Sequence, residues 1–127
     1  MLVMGACTSS TAPERTIGSV ASLRTDKALF PIPSAAQDSA GSVRFYGTIP
    51  APCWPSVVSS SAQLSGPTLR VVVTIAAAGS CWPLVTDANY VVQLTDVPRG
   101  NYVLDVAHQV GQQPVEVGVY SLPVTVR

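Results

Sequence analysis

Three cysteines, a single histidine and a few scattered carboxylates are the side chains of this sequence best equipped for chemistry. A tetrahedral metal site needs four closely spaced nitrogen or sulfur ligands. The chain has no Cys-x-x-Cys and one histidine, so no metal is expected. Cys53 and Cys81 each precede Trp-Pro rather than a second nearby cysteine, which argues against a redox pair. His108 shares its parity with Leu104 and Val106, so it reads as a strand-end or interface residue and not as a general base. Neither G-x-S-x-G nor S-x-x-K places a serine nucleophile. Asp96 and Asp105 flank a turn and read as solvated acids. Asp87-Ala88-Asn89 lacks the further acids that calcium requires, and no glycine loop is built to cradle a phosphate. The residues point to a non-catalytic protein with no cofactor.

Elements to carry these residues show in an alternation of period two, the mark of half-buried strands. Val43, Phe45 and Ile49 share one parity, with Arg44, Tyr46 and Thr48 on the other. Leu69, Val71, Val73 and Ile75 form a second inward row. Tyr90, Val92 and Leu94 form a third, and Tyr102, Leu104 and Val106 a fourth. Val115, Val117 and Val119 make a fifth, which Val124 and Val126 extend beyond Pro123. Ile17 to Leu23 and Val57 to Leu64 are weaker strands. No stretch keeps a 3.6-residue apolar period over three turns, so no substantial helix is expected. Pro31 through Gly41 reads as a loop, Gly79-Ser80 as a turn, and Pro98-Arg99-Gly100-Asn101 as the best local hairpin turn.

A chain of 127 residues suits one domain. Seven basic and seven acidic side chains leave no net charge, which excludes an electrostatic nucleic-acid or anionic-membrane surface. Charged residues make up 11% and apolar ones 47%, so the chain must bury apolar surface or offer some to a partner. No run of 18 apolar residues is present to span a membrane as a helix.

Met1-Leu2-Val3-Met4-Gly5-Ala6-Cys7 resembles the end of a bacterial lipoprotein signal peptide, in which small residues precede a lipidated cysteine. Met4 stands where leucine is usual, and the apolar stretch is shorter than a complete leader. The resemblance implies that residues 1–6 are a signal-peptide remnant, that Cys7 carries a diacylglycerol, and that the protein sits on the periplasmic or outer-surface face of a bacterial membrane. Thr8-Ser9-Ser10-Thr11-Ala12-Pro13-Glu14 fits the flexible tether such an anchor needs, giving a tether over residues 7–16. With Cys7 assigned to lipid, Cys53 and Cys81 remain as a disulfide. Closing a loop of about 28 residues would contribute roughly 3–4 kcal/mol in the chain-entropy model. Trp54 and Trp82, the only tryptophans, then lie beside that bridge, either covering it or forming an exposed contact platform.

The segment Leu94-Thr95-Asp96-Val97-Pro98-Arg99-Gly100-Asn101-Tyr102-Val103-Leu104-Asp105-Val106 resembles the V-P-x-G-x-Y-x-L-x-V hairpin of prealbumin-like sandwiches, among them carboxypeptidase regulatory-like and starch-binding-like domains. That implies an all-β, Ig-like antiparallel sandwich of six to seven strands over residues 17–127, and no chemistry. No cysteine follows Tyr102 at the immunoglobulin spacing. The expected function is a lipid-anchored subunit docked on a larger membrane or envelope protein complex. The leader and tether also resemble those of lipoproteins from environmental and phototrophic bacteria, which suggests a reaction-centre and light-harvesting assembly as one such complex. A carbohydrate- or small-ligand-binding module is the alternative, with Trp54, Trp82, Asp87 and Asn89 as its candidate contacts.

Overall fold

Leu69, Val71, Val73 and Ile75 alternate with Arg70, Val72 and Thr74, and in the computed structural model all four of the first set are fully buried. The structure describes residues 15–23, 34–39, 41–51, 53–82 and 86–127. Within strands, the side chains of residues 34–39, 54, 78, 81, 86 and 116–118 also lie outside the description. Eight strands follow one another: β1 Arg15–Leu23, β2 Ser34–Ser39, β3 Ser42–Ala51, β4 Trp54–Ser65, β5 Thr68–Trp82, β6 Thr86–Thr95, β7 Gly100–Val110 and β8 Glu116–Val126. Each inward valine, leucine or isoleucine contributes about 1.5–3 kcal/mol by leaving water, and β-branched residues suit the pleated surface.

The strands form one mixed sheet in the order β2-β3-β6-β1-β4-β5-β7-β8. It curls so far that its end strands, β2 and β8, come into contact, and β3 faces β5 and β7 across the core. The curl depends on β1, whose residues Arg15 to Ile17 pair with β4 and whose residues Gly18 to Leu23 pair with β6. Gly18 sits at the changeover, where an added Cβ would lie 2.6 Å from Thr95 Oγ1. Inside the curl, Val43, Phe45, Ile49, Tyr90, Val92, Leu94, Leu104 and Val106 join the β5 row in one core.

Several sequence expectations need correction. Among the described residues there are eight strands rather than six or seven, and β5 runs parallel to β7, so the sheet is not wholly antiparallel. Arg15 and Thr16, expected in the tether, open β1. Residues 34–39, expected as loop, are an edge strand paired with β3. Gly79-Ser80 is not a turn. It lies within β5, where three extra residues sit between the pairs Ser56–Ala77 and Trp54–Trp82, with Gly79 at φ +69°. β6 and β7 are not a hairpin: β6 pairs with β1 and β3, while β7 pairs with β5 and β8. Val115 is exposed, and Tyr120, Leu122, Val124 and Val126 turn inward, with Tyr120, Leu122 and Val124 opposite Val106, Leu104 and Tyr102 of β7.

Pro123 guards the outer edge of β8. Its partner Val103 donates its amide to the Pro67 carbonyl at 2.9 Å, on the β5 side. The amide missing at Pro123 is therefore one that would have faced away from β7, and edge strands use proline to discourage further pairing.

Candidate functional site

The segment joining β6 to β7 carries the chain from one wall of the curl to the other. Asp96 adopts φ 57°, Val97 is buried, and the Val97 amide donates to the Gly41 carbonyl at 2.9 Å. Tyr102 then reaches back: its hydroxyl donates to the carbonyl of Pro98 at 2.7 Å and lies 3.2 Å from that of Arg99. This is the bonding pattern of a tyrosine corner. Asp105, five residues into β7, faces Arg70 at 3.8 Å on the surface, so the two acids flanking this segment do not act as a pair.

His108 is the third residue from the end of β7 and is only 6% exposed. Its Nε2 is 2.7 Å from the Tyr90 hydroxyl, which is 2.7 Å from the Tyr120 hydroxyl. Tyr120 also donates to the Tyr46 carbonyl at 3.4 Å. The rings meet edge to face, Phe45 on Tyr90, Tyr90 on His108 and His108 on Tyr120. Burial drives the Tyr120 phenol up to about 12 and the Tyr90 phenol well above the usual tyrosine range, with the neighbouring Tyr120 adding to the second. Sequence reading placed Tyr90 and His108 on inward parities but set Tyr120 outside its row. Among the described residues, no buried side-chain nitrogen or oxygen lacks a partner. The cluster has the character of a satisfied core network, which fixes one packing arrangement.

The Cys-Trp-Pro motifs meet at the other end of β4 and β5. Trp54 and Trp82 are register partners directly across the ladder. Cys53 is buried and disulfide-bonded, and Ser56 Oγ donates to its carbonyl at 2.6 Å. The side chains of Trp54 and Cys81 fall outside the described residues, as does Cys7. Trp82 is 76% exposed. Asp87 is exposed opposite Pro50, and Asn89 Oδ1 accepts a hydrogen bond from Thr48 Oγ1 at 2.8 Å.

A shallow groove of about 430 Å³ lies elsewhere, on the outer face of β1, β6 and β3, lined by Val20, Ser22, Arg44, Tyr46, Val91 and Gln93. It contains none of Trp82, Asp87 and Asn89. Arg44 donates from Nε and Nη2 to Gln93 Oε1 at 3.3 and 3.2 Å, and Gln93 donates in turn to Ser42. Among the described residues, no group of three histidine, cysteine or acidic side chains could hold a metal, and no helix is long and apolar enough to cross a membrane. Compared with protein families, curated proteins and solved structures, the chain matches none.

Proposed function

We propose that this protein is a non-catalytic, lipid-anchored extracytoplasmic subunit that docks on a larger membrane or envelope protein complex. The observation that carries the reading is Trp82: a large aromatic exposed on a strand end whose ladder is braced by the disulfide-bonded Cys53. Aromatic residues held on rigid scaffolds are the usual anchors of protein interfaces. A disulfide suits an oxidising compartment. Cys81 is the partner we assign to Cys53, since each cysteine immediately precedes one of the register-paired Trp54 and Trp82. The tyrosine corner at Tyr102 supports an Ig-like, prealbumin-like reading of the curled sheet.

Metabolic labelling with a radioactive fatty acid tests the anchor. The native chain should be labelled and Cys7→Ser should not, and equal labelling of both removes the lipoprotein reading. Affinity purification from detergent-solubilised membranes, with partners identified by mass, tests the docking. Recovery of reaction-centre or light-harvesting subunits would support the photosynthetic version of the proposal.

A further inference from the structure

We infer that His108, Tyr90 and Tyr120 form a one-way hydrogen-bonded strap across the core, headed by the imidazole as donor, and that acid leaves this strap closed. The strap does not depend on the docking function proposed above. Three contacts build it: His108 Nε2 to the Tyr90 hydroxyl, that hydroxyl to the one on Tyr120, and the Tyr120 hydroxyl to the Tyr46 carbonyl. Each contact needs one hydrogen, and each phenol has one to give. The Tyr46 carbonyl has none, so the third contact takes the Tyr120 hydrogen. Tyr120 is then the acceptor in its contact with Tyr90, which uses the Tyr90 hydrogen. His108 Nε2 must supply the first contact, so it carries a hydrogen. If Tyr90 donated to Nε2 instead, two oxygens would face each other without a hydrogen. They would be Tyr90 and Tyr120 at 2.7 Å, or Tyr120 and the Tyr46 carbonyl at 3.4 Å.

Every bond of the strap joins the two walls of the curl. His108 is on β7, Tyr90 on β6, Tyr120 on β8 and Tyr46 on β3. β7 and β8 pair on one wall, and β3 and β6 pair on the other. An imidazole that already donates from Nε2 takes up its second hydrogen at Nδ1. Nε2 then keeps both its hydrogen and its bond to Tyr90. Were Nε2 the acceptor, acid would place a hydrogen there against the one Tyr90 presents, and the strap would open at its head. The titratable groups on the strands around the imidazole are Tyr90 of β6, Tyr120 of β8, and Glu116, its register partner on β8, whose side chain lies outside the description. β5 sets Val73 beside it and β3 sets Phe45 against Tyr90, neither of which titrates. Both phenols stay protonated in acid, because burial raises them above the usual tyrosine range.

The test uses the full chain labelled with nitrogen-15 and prepared without a histidine tag. His108 is the sole histidine, so both imidazole nitrogen signals belong to it. Long-range proton–nitrogen spectra at about pH 9, above the ordinary imidazole range and below that of tyrosine, should show a hydrogen on Nε2. On acidification the Nε2 hydrogen should persist while the domain is folded, and any uptake should appear at Nδ1. A bare Nε2 at about pH 9, or an Nε2 that gains its hydrogen only in acid, would overturn the inference. Tyr120→Phe removes one hydroxyl and supplies a second readout. Tyr90 then has no hydroxyl to donate to, and its acceptor within the cluster becomes Nε2. The imidazole of this variant should switch its hydrogen from Nε2 to Nδ1 at the same alkaline pH. A hydrogen retained on Nε2 there would mean that the strap does not set the imidazole, and would equally overturn the inference.

Discussion

Gly47 on β3 and Tyr90 on β6 are register partners, and the tyrosine hydroxyl occupies the space where a side chain at Gly47 would begin. A Cβ added there would fall 2.7 Å from the Tyr120 hydroxyl and closer still to that of Tyr90. The hydrogen-bonded chain through His108 therefore exists because β3 has no side chain at this level of the core.

Gly47→Ala should destabilise the domain by about 1–3 kcal/mol through overpacking. Tyr90→Phe should cost about 1–3 kcal/mol, since it strips a partner from both His108 and Tyr120. The two should couple, with the double variant more stable than the sum of the separate losses allows. Urea denaturation of the four proteins measures this, and strict additivity would contradict the packing described.

Alkaline pH should unfold the protein earlier than a surface-tyrosine protein. The Tyr120 phenol is raised to about 12 in the folded state against 10 in the free side chain, and Tyr90 is raised further. Above pH 10 the unfolded chain loses these protons while the folded one keeps them, so stability is fully present below pH 10 and falls as pH rises toward 12. Denaturation midpoints between pH 9 and 12 should decline in the native chain and decline less in Tyr120→Phe. Equal slopes would show that these phenols are not buried.

Tyr102→Phe removes the hydroxyl that spans the β6–β7 connection while leaving the ring in place. The loss should be about 0.5–1.5 kcal/mol, the net worth of an ordinary hydrogen bond. Amide exchange should speed up at Val97 and neighbouring residues more than in the middle of β5. Uniform acceleration everywhere would mean that the tyrosine corner is not a local brace.

Cys53→Ser should cost about 2–5 kcal/mol, as loss of a native disulfide does in small domains. Thiol titration of the denatured, unreduced protein should find neither Cys53 nor Cys81 reactive. A free Cys81 would assign the partner of Cys53 elsewhere.

The core rows were legible in the sequence because a strand with one buried face must alternate. Phe45, Val71, Val92 and Leu104 all lie inward as the pattern predicts. β2 was not legible: Ser-Ala-Ala-Gln-Asp-Ser has no apolar alternation, and its strand conformation comes from pairing with β3. Proline and glycine around Arg99 signal that the chain turns, but local turn chemistry does not say which neighbours the next strand will join. The inward side of β8 comes from its partners in the ladder: Tyr120, Leu122 and Val124 stand opposite Val106, Leu104 and Tyr102, on the other parity from Val115, Val117 and Val119, and the two-residue slip between Val106 and His108 leaves that parity unchanged. Tyr90, His108 and Tyr120 meet only after three strands have assembled, so no spacing along the chain records their contact. For the tryptophans, the repeated Cys-Trp-Pro put both beside the cysteines, and the exposure of Trp82 then came from the end of β5.

The parallel pairing of β5 with β7 also sets the order in which the domain can assemble. β4 and β5 are joined by Gly66-Pro67 alone, with Gly66 at φ +57°, so they can zip together locally. Thr68 and Val103, by contrast, are 35 residues apart, with β6 lying between them in the chain and pairing elsewhere. Closing such distant contacts is slow, placing this topology among folds that take milliseconds to seconds. During that interval β5 waits with an uncovered edge, one that β7 and then β8 eventually shield. A newly made chain is therefore most prone to wrong pairings after the β4–β5 hairpin has formed and before residues 100–110 arrive, and substitutions that delay β7 should lower yield more than their effect on final stability implies.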